Sequence, residues 1–209
     1  MIFHSLKTIF VHIPKAGGTS VENLLWPNAS TRTESDLWMG FVRPFYNKYQ
    51  TGGLQHLLAK QIQYEIGNTI FSEYYKFAIV RNPWSKSVSQ FVYMSMREDL
   101  RNFINMKPNT TFIEYLNLIL KKDHVQWKSQ VDFILDHNGE ILIDDFYKLE
   151  EIKDNFSKLS EKTGANFSLL PHANKGKYYS FKDYYDKESI ELVSEIYKND
   201  IDFFNYTYD

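Results

Sequence analysis

The sequence predicts an α/β domain in which a central, mostly parallel sheet is flanked by helices. Two short β-rich runs, Thr8 to Ile13 and Tyr75 to Val80, each pass within a few residues into a helical pattern. A third segment, Leu149 to Thr163, has amphipathic helical spacing and stops at Gly164, a residue suited to a left-handed helix end. Strands that alternate with helices are joined by the crossovers of a parallel sheet.

Taken in order, Thr8 to Ile13 (TIFVHI) is followed by Pro14-Lys15-Ala16-Gly17-Gly18-Thr19-Ser20 and a helix over VENLLW. Residues 27–53 are polar and irregular, with Pro27, Pro44 and the pair Gly52-Gly53, and read as a long insertion. Ala59 to Ile66 is a short helix. Tyr75 to Val80 (YKFAIV) is a second buried strand, and Arg81-Asn82-Pro83 comes straight after it. Pro83 suits the first helical position, so a helix should run to about Met96. Phe112 to Leu120 has helical spacing. Phe133 to Leu135 and Glu140 to Ile143 read as strands around the turn His137-Asn138-Gly139. Residues 171–185 form a Lys- and Tyr-rich loop, and Lys187 to Lys198 a last helix. There is no internal repeat, low-complexity tract or linker, so residues 1–209 are expected to form one domain.

Composition narrows the function. With 43% hydrophobic and 24% charged residues, the 209-residue chain has the makings of a packed core. A net charge of −2 gives no broad basic field, which argues against nucleic acid as a partner. The absence of cysteine excludes disulfides, thiolate nucleophiles and zinc–thiolate sites. The six histidines show no tight ligand spacing, so no metal is expected. No apolar run approaches the roughly 20 residues of a membrane span, and the first residues lack the apolar core of a signal peptide. Sequons at Asn28, Asn109, Asn166 and Asn205 are then chance products. The chain reads as soluble, cytoplasmic, and bacterial or viral in type.

Strand, Gly-bearing loop and helix together make a common phosphate holder, because helix-start N–H groups and the helix dipole both favour an anion there. Gly17 and Gly18 would let the backbone approach oxygens closely, Thr19 and Ser20 offer hydroxyls, and Lys15 brings a positive charge. It is not a Walker A loop, which needs Lys directly before the hydroxyl residue at its end. Here Lys15 precedes both glycines, and no acid for Mg²⁺ is evident. Arg81, where the second strand ends, stands where open α/β sheets bind ligands, and a guanidinium grips phosphate with two donors. Ser89 follows eight residues later on the helix, which also carries Ser85 and Ser87.

The string His12-Ile13-Pro14-Lys15-Ala16-Gly17-Gly18-Thr19-Ser20 resembles the 5′-phosphosulfate loop of the sulfotransferases, above all the carbohydrate-type group related to heparan sulfate 2-O-sulfotransferase. The resemblance runs from residue 8 to about 206. It implies a P-loop NTPase-like three-layer fold and transfer of a sulfuryl group from PAPS (3′-phosphoadenosine 5′-phosphosulfate) to an acceptor hydroxyl, with PAP as product. By the same resemblance Pro14 to Ser20 hold the 5′ end of the donor, while Arg81 and Ser89 read its 3′-phosphate. Lys15 is placed to neutralise the leaving phosphate. His56 is similar in position to the catalytic histidine of the 2-O-sulfotransferase-like group, and its competing reading is a cap for the helix starting near Leu57. His12, Glu22, Glu34 and Asp36 stay open as other bases. Residues 171–179, Pro171 to Tyr179, resemble the family's late loop, in which Lys175, Gly176 and Lys177 close over the donor; Asn174 stands where an Arg is usual. Residues 27–58 would then shape the acceptor site. Arg32, Arg43 and Lys48 suit an anionic sugar there, and Trp26, Trp38 and Tyr46 suit a sugar ring. The implied acceptor is a glycan or small glycoside. Two readings compete: a P-loop-like kinase, against which the position of Lys15 argues, and a nucleotide-binding module without turnover.

Overall fold

The computed structural model describes residues 1–26, 54–170 and 180–208. The chain divides into two compact units, Met1–Val80 with Gln130–Asn174, and Arg81–Ser129 with Lys175–Asp209.

The first unit is built on a four-stranded sheet in the order β1 (Ile2–Phe3), β2 (Thr8–Val11), β3 (Tyr75–Val80), β4 (Asp145–Lys148). β1 runs antiparallel to β2, whereas β2, β3 and β4 are parallel. In the register, Val11 lies opposite Ala78 and Val80 opposite Lys148. Because β2 and β3 are parallel, both leave the sheet at the same edge. β2 gives way there to the Gly-bearing loop and α1 (Gly18–Leu25), and the residue after Val80 is Arg81.

Both faces of this sheet are covered, as strands buried through their length require. Phe10, Phe77, Ile79 and Tyr147 pack with Val21 and Leu25 of α1, with Leu159 of α7 (Phe156–Thr163), and with Phe167. On the opposite face Lys76 lies with its Nζ 5.4 Å from the ring of Phe71, in α2 (Ala59–Glu73). α2 continues well past the Ile66 expected from sequence, and its two helical pieces meet at Gly67, at φ 79° and ψ 159°.

Two expected strands are corrected. Gln130–Ile134 is a helix, α6, with Gln130, Val131, Phe133 and Ile134 buried at helical spacing. Beyond it only Leu135 and Ile141 pair, in a single antiparallel bridge. The Asp136 carboxylate explains why: it accepts the N–H groups of Asn138 (2.7 Å) and Glu140 (2.8 Å) and closes the turn onto itself. The third parallel strand lies later, at Asp145–Lys148, as an edge strand with only Tyr147 buried. The predicted helix over Leu149 to Thr163 starts as a 3₁₀ stretch, Leu149–Asn155, and becomes α-helical only at Phe156. Gly164 ends it with φ 73°, as its sequence position suggested.

The second unit is helical: α3 (Pro83–Ser95), α4 (Glu98–Ile104), α5 (Phe112–Ile119), α8 (Lys187–Ile196) and α9 (Lys198–Phe204). α4 and α9 were not foreseen. Phe91 of α3 packs its ring against Phe112 and Tyr115 of α5 and against Tyr184. Trp84 Nε1 donates to the Ile190 carbonyl at 3.3 Å, and Tyr197 Oη to that of Trp127 at 3.0 Å. Among the described residues no helix is long and apolar enough to cross a membrane.

Phe77 has no exposed surface and touches the rings of Phe10, Tyr75, Tyr147 and Phe167. Phe77→Ala should therefore cost about 3–5 kcal/mol of stability. Urea unfolding checks this, and a loss below about 1 kcal/mol would contradict Phe77 as the centre of this core.

Candidate functional site

The chain turns from β2 into α1 within six residues. Lys15 (φ 64°) and Gly17 (φ 83°) are both left-handed, and Gly17 is the residue that caps α1. Lys15, Gly17 and Thr19 reach solvent, whereas Pro14, Ala16, Gly18 and Ser20 are buried. That alternation leaves one charged side chain, one hydroxyl and the backbone facing outward. No side chain caps the N-terminus of α1. α3 differs, because the Asn82 side chain accepts the N–H groups of Trp84 and Ser85 at 3.1 and 3.2 Å. An anion beside α1 would meet a helix start with no side-chain acceptor at its cap; one beside α3 would meet side chains first.

The two glycines serve different ends. A side chain at Gly17 would need a left-handed conformation and would crowd Leu149. A Cβ at Gly18 would fall 2.0 Å from the His12 ring, which occupies that slot. Gly18 is thus required by His12, so the missing side chain there makes no room for a ligand.

His12 follows β2 directly and is only 6% exposed. Its Nδ1 lies 2.6 Å from Oε1 of Glu22, itself buried on α1. Its ring stacks on Phe10 at 5.5 Å and meets the edge of the His56 ring at 4.6 Å. The His12 carbonyl lies 3.0 Å from Nδ1 of His56. A carbonyl oxygen only accepts, so Nδ1 of His56 carries the proton and Nε2 of the neutral ring holds the lone pair. Burial first, and the neighbouring His12 second, lower the His56 pKa from 6.5 to about 3, against the opposing pull of the His12 carbonyl and of Glu22. The ring is therefore neutral throughout the physiological range.

His56 closes a short 3₁₀ turn, Leu54–His56, and does not cap α2. The residue before α2 is Leu58, whose N–H is taken by the Gln61 side chain at 2.8 Å.

In the second unit, Arg81 donates from Nε and Nη2 to the Ser85 hydroxyl at 3.0 and 2.8 Å. Arg81, Ser85 and Ser89 recur every four residues and are all partly exposed, whereas Ser87 is buried and donates to the Pro83 carbonyl at 2.8 Å. One stripe thus presents a guanidinium and two hydroxyls. Ser85 was not singled out from sequence as the partner of Arg81; the i, i+4 spacing was the available signal. The pairing of Glu22 with His12 had no such signal.

Trp26 packs its ring on Phe3 at 4.9 Å, at the border of the core. Lys175, Gly176 and Lys177 lie outside the described residues. So do Arg32, Glu34, Asp36, Trp38, Arg43, Tyr46 and Lys48. Among the described residues no group of three or more His, Asp or Glu side chains is placed to hold a metal ion.

Comparison with known proteins gives a family. The family model described as "Sulfotransferase family" matches residues 1–207. An archaeal protein from Archaeoglobus fulgidus, described as uncharacterized, is 26% identical over 106 residues, 51% of this chain and 81% of its own length. No solved structure matches the chain.

Because the His12 ring fills the space beside Gly18, Gly18→Ala should lower stability by about 1–3 kcal/mol. Urea unfolding of the variant checks it, and stability equal to wild type would show that His12 does not hold this place.

Proposed function

This chain belongs to the sulfotransferase family, and we infer that it moves a sulfuryl group from PAPS to a hydroxyl of a carbohydrate, a glycan or small glycoside, releasing PAP. The family model spans both compact units, which supports reading residues 1–209 as one sulfotransferase domain.

The observation that carries the mechanism is the 3.0 Å contact of His56 Nδ1 with the His12 carbonyl, which commits Nδ1 as donor and leaves the lone pair on Nε2. In the reaction the acceptor hydroxyl gives its proton to Nε2 as its oxygen attacks sulfur. The bond from sulfur to the 5′-phosphate oxygen breaks, and negative charge gathers on that phosphate. Lys15, outward-facing on the loop before α1, neutralises this charge. The segment Pro14, Lys15, Ala16, Gly17, Gly18, Thr19, Ser20 receives the 5′ end. In support, α1 begins there without a side-chain cap.

Arg81 and Ser89 take the 3′-phosphate, supported by the partly exposed stripe they share with Ser85. Ser85 orients the guanidinium. Lys175, Gly176 and Lys177 close over the donor; this, like the carbohydrate acceptor, rests on the resemblance to the 2-O-sulfotransferase-like group.

His56→Ala should lower turnover about a hundredfold or more, as loss of a general base does. Turnover is read with labelled PAPS against a panel of glycans, tyrosyl peptides and small alcohols; near-normal turnover would remove His56 from the role, and label only in the peptides would remove the carbohydrate. Arg81→Ala should weaken binding of adenosine 3′,5′-bisphosphate about tenfold or more, since charged hydrogen bonds are lost. Calorimetry decides: equal affinity in variant and wild type would overturn the 3′-phosphate assignment.

A further inference from the structure

A neutral imidazole with so low a pKa is ready to accept a proton but gains little by it. Something must stabilise the positive charge that appears when it does. The charged or titratable groups acting on His56 are His12, Glu22 and the Met1 amino group. The His12 ring and the amino group disfavour a cation there, whereas the His12 carbonyl and then the Glu22 carboxylate favour it. The mechanism above gives Glu22 no part.

Its placement is specific. Glu22 sits on the second turn of α1 at 7% exposure, an expensive site for a carboxylate without compensation. One oxygen lies 2.6 Å from His12 Nδ1. The His12 ring then meets His56 edge to face at 4.6 Å, while the His12 carbonyl takes the His56 Nδ1 proton. One residue therefore joins the carboxylate to the base, by its side chain on one side and its backbone on the other. Gly18, with no side chain, leaves the His12 ring room to occupy this position.

We propose that Glu22 is the positioning and counter-charge residue of the base: held against His12, it fixes His12 beneath His56 and offsets the positive charge formed on His56 when the acceptor hydroxyl is deprotonated. The proton passes from the acceptor oxygen to His56 Nε2 and stays there until product leaves; Glu22 accepts none. The logic is that of a carboxylate which orients and stabilises a catalytic imidazolium without being protonated itself. Here the carboxylate works through a second histidine, and the base donates its Nδ1 hydrogen bond to a backbone carbonyl. The inference rests on His56 being the base.

The test separates charge from shape. Glu22→Gln keeps the shape and removes the charge; Glu22→Asp keeps the charge and shortens the reach. The expected result is a kcat at least about tenfold lower for Glu22→Gln, with the Kd for adenosine 3′,5′-bisphosphate within about twofold of wild type, the signature of an interaction made only in the transition state. Glu22→Asp should retain more turnover than Glu22→Gln. A purely structural Glu22 gives the opposite order and would overturn the proposal. The preserved bisphosphate affinity shows that the variant is folded. In a His56→Ala background, Glu22→Gln should have no further effect, since both act on one step. If Glu22→Gln still lowers turnover about tenfold in that background, Glu22 acts elsewhere and this inference fails while the base assignment stands. If His56→Ala alone leaves turnover near normal, the base assignment itself fails and this inference with it.

Discussion

The buried contact between His12 and Glu22 is the constraint on which the first unit's candidate site depends. The carboxylate and the imidazole lie 2.6 Å apart, both nearly sealed from water. Their contact brings together the residue after β2 and the second turn of α1, and the loop between them follows a tight course. Lys15 and Gly17 take left-handed conformations to follow it, and Gly18 gives up a side chain to admit the His12 ring. The same histidine then presents its carbonyl to His56. Loop shape and base tautomer are consequences of one packed pair.

The two helix starts illustrate how an anion site differs from an ordinary terminus. α3 is finished by its own sequence, with Asn82 accepting two N–H groups and Pro83 removing the need for a third. α1 begins on a glycine that has nothing to offer. Its left-handed conformation and the nearby Leu149 side chain leave no place there for Ser, Asp or Asn, so the helix start stays without a side-chain acceptor. That uncapped start lies on the loop where the donor's charged end is proposed to bind. Arg81 takes the complementary course, with its guanidinium held from below by the Ser85 hydroxyl and so presented in a set orientation.

What was legible in the sequence was whatever is local and contiguous. β3 was read to the residue because all but its first residue are buried, and a continuous apolar run needs no partner to be recognised. The loop after β2 and the Arg81-Asn82-Pro83 junction were legible because turn and cap chemistry is written in adjacent residues. β4 was missed because an edge strand with one buried residue carries almost no hydrophobic pattern. The strands expected at 133–135 and 140–143 failed because the Asp136 side chain competes with the ladder for backbone N–H groups. Least legible was the junction of Glu22, His12 and His56. It joins residues 10 and 44 positions apart through a ring-shaped gap at Gly18, which no periodicity reveals.

The proposed mechanism turns on where one proton sits. Nitrogen-15 spectra of the His56 imidazole at neutral pH would report it directly. The structure requires a neutral ring protonated at Nδ1, with Nε2 bearing the lone pair. A ring protonated at Nε2, or a positively charged one, would leave no base facing the acceptor and would contradict the mechanism at its first step.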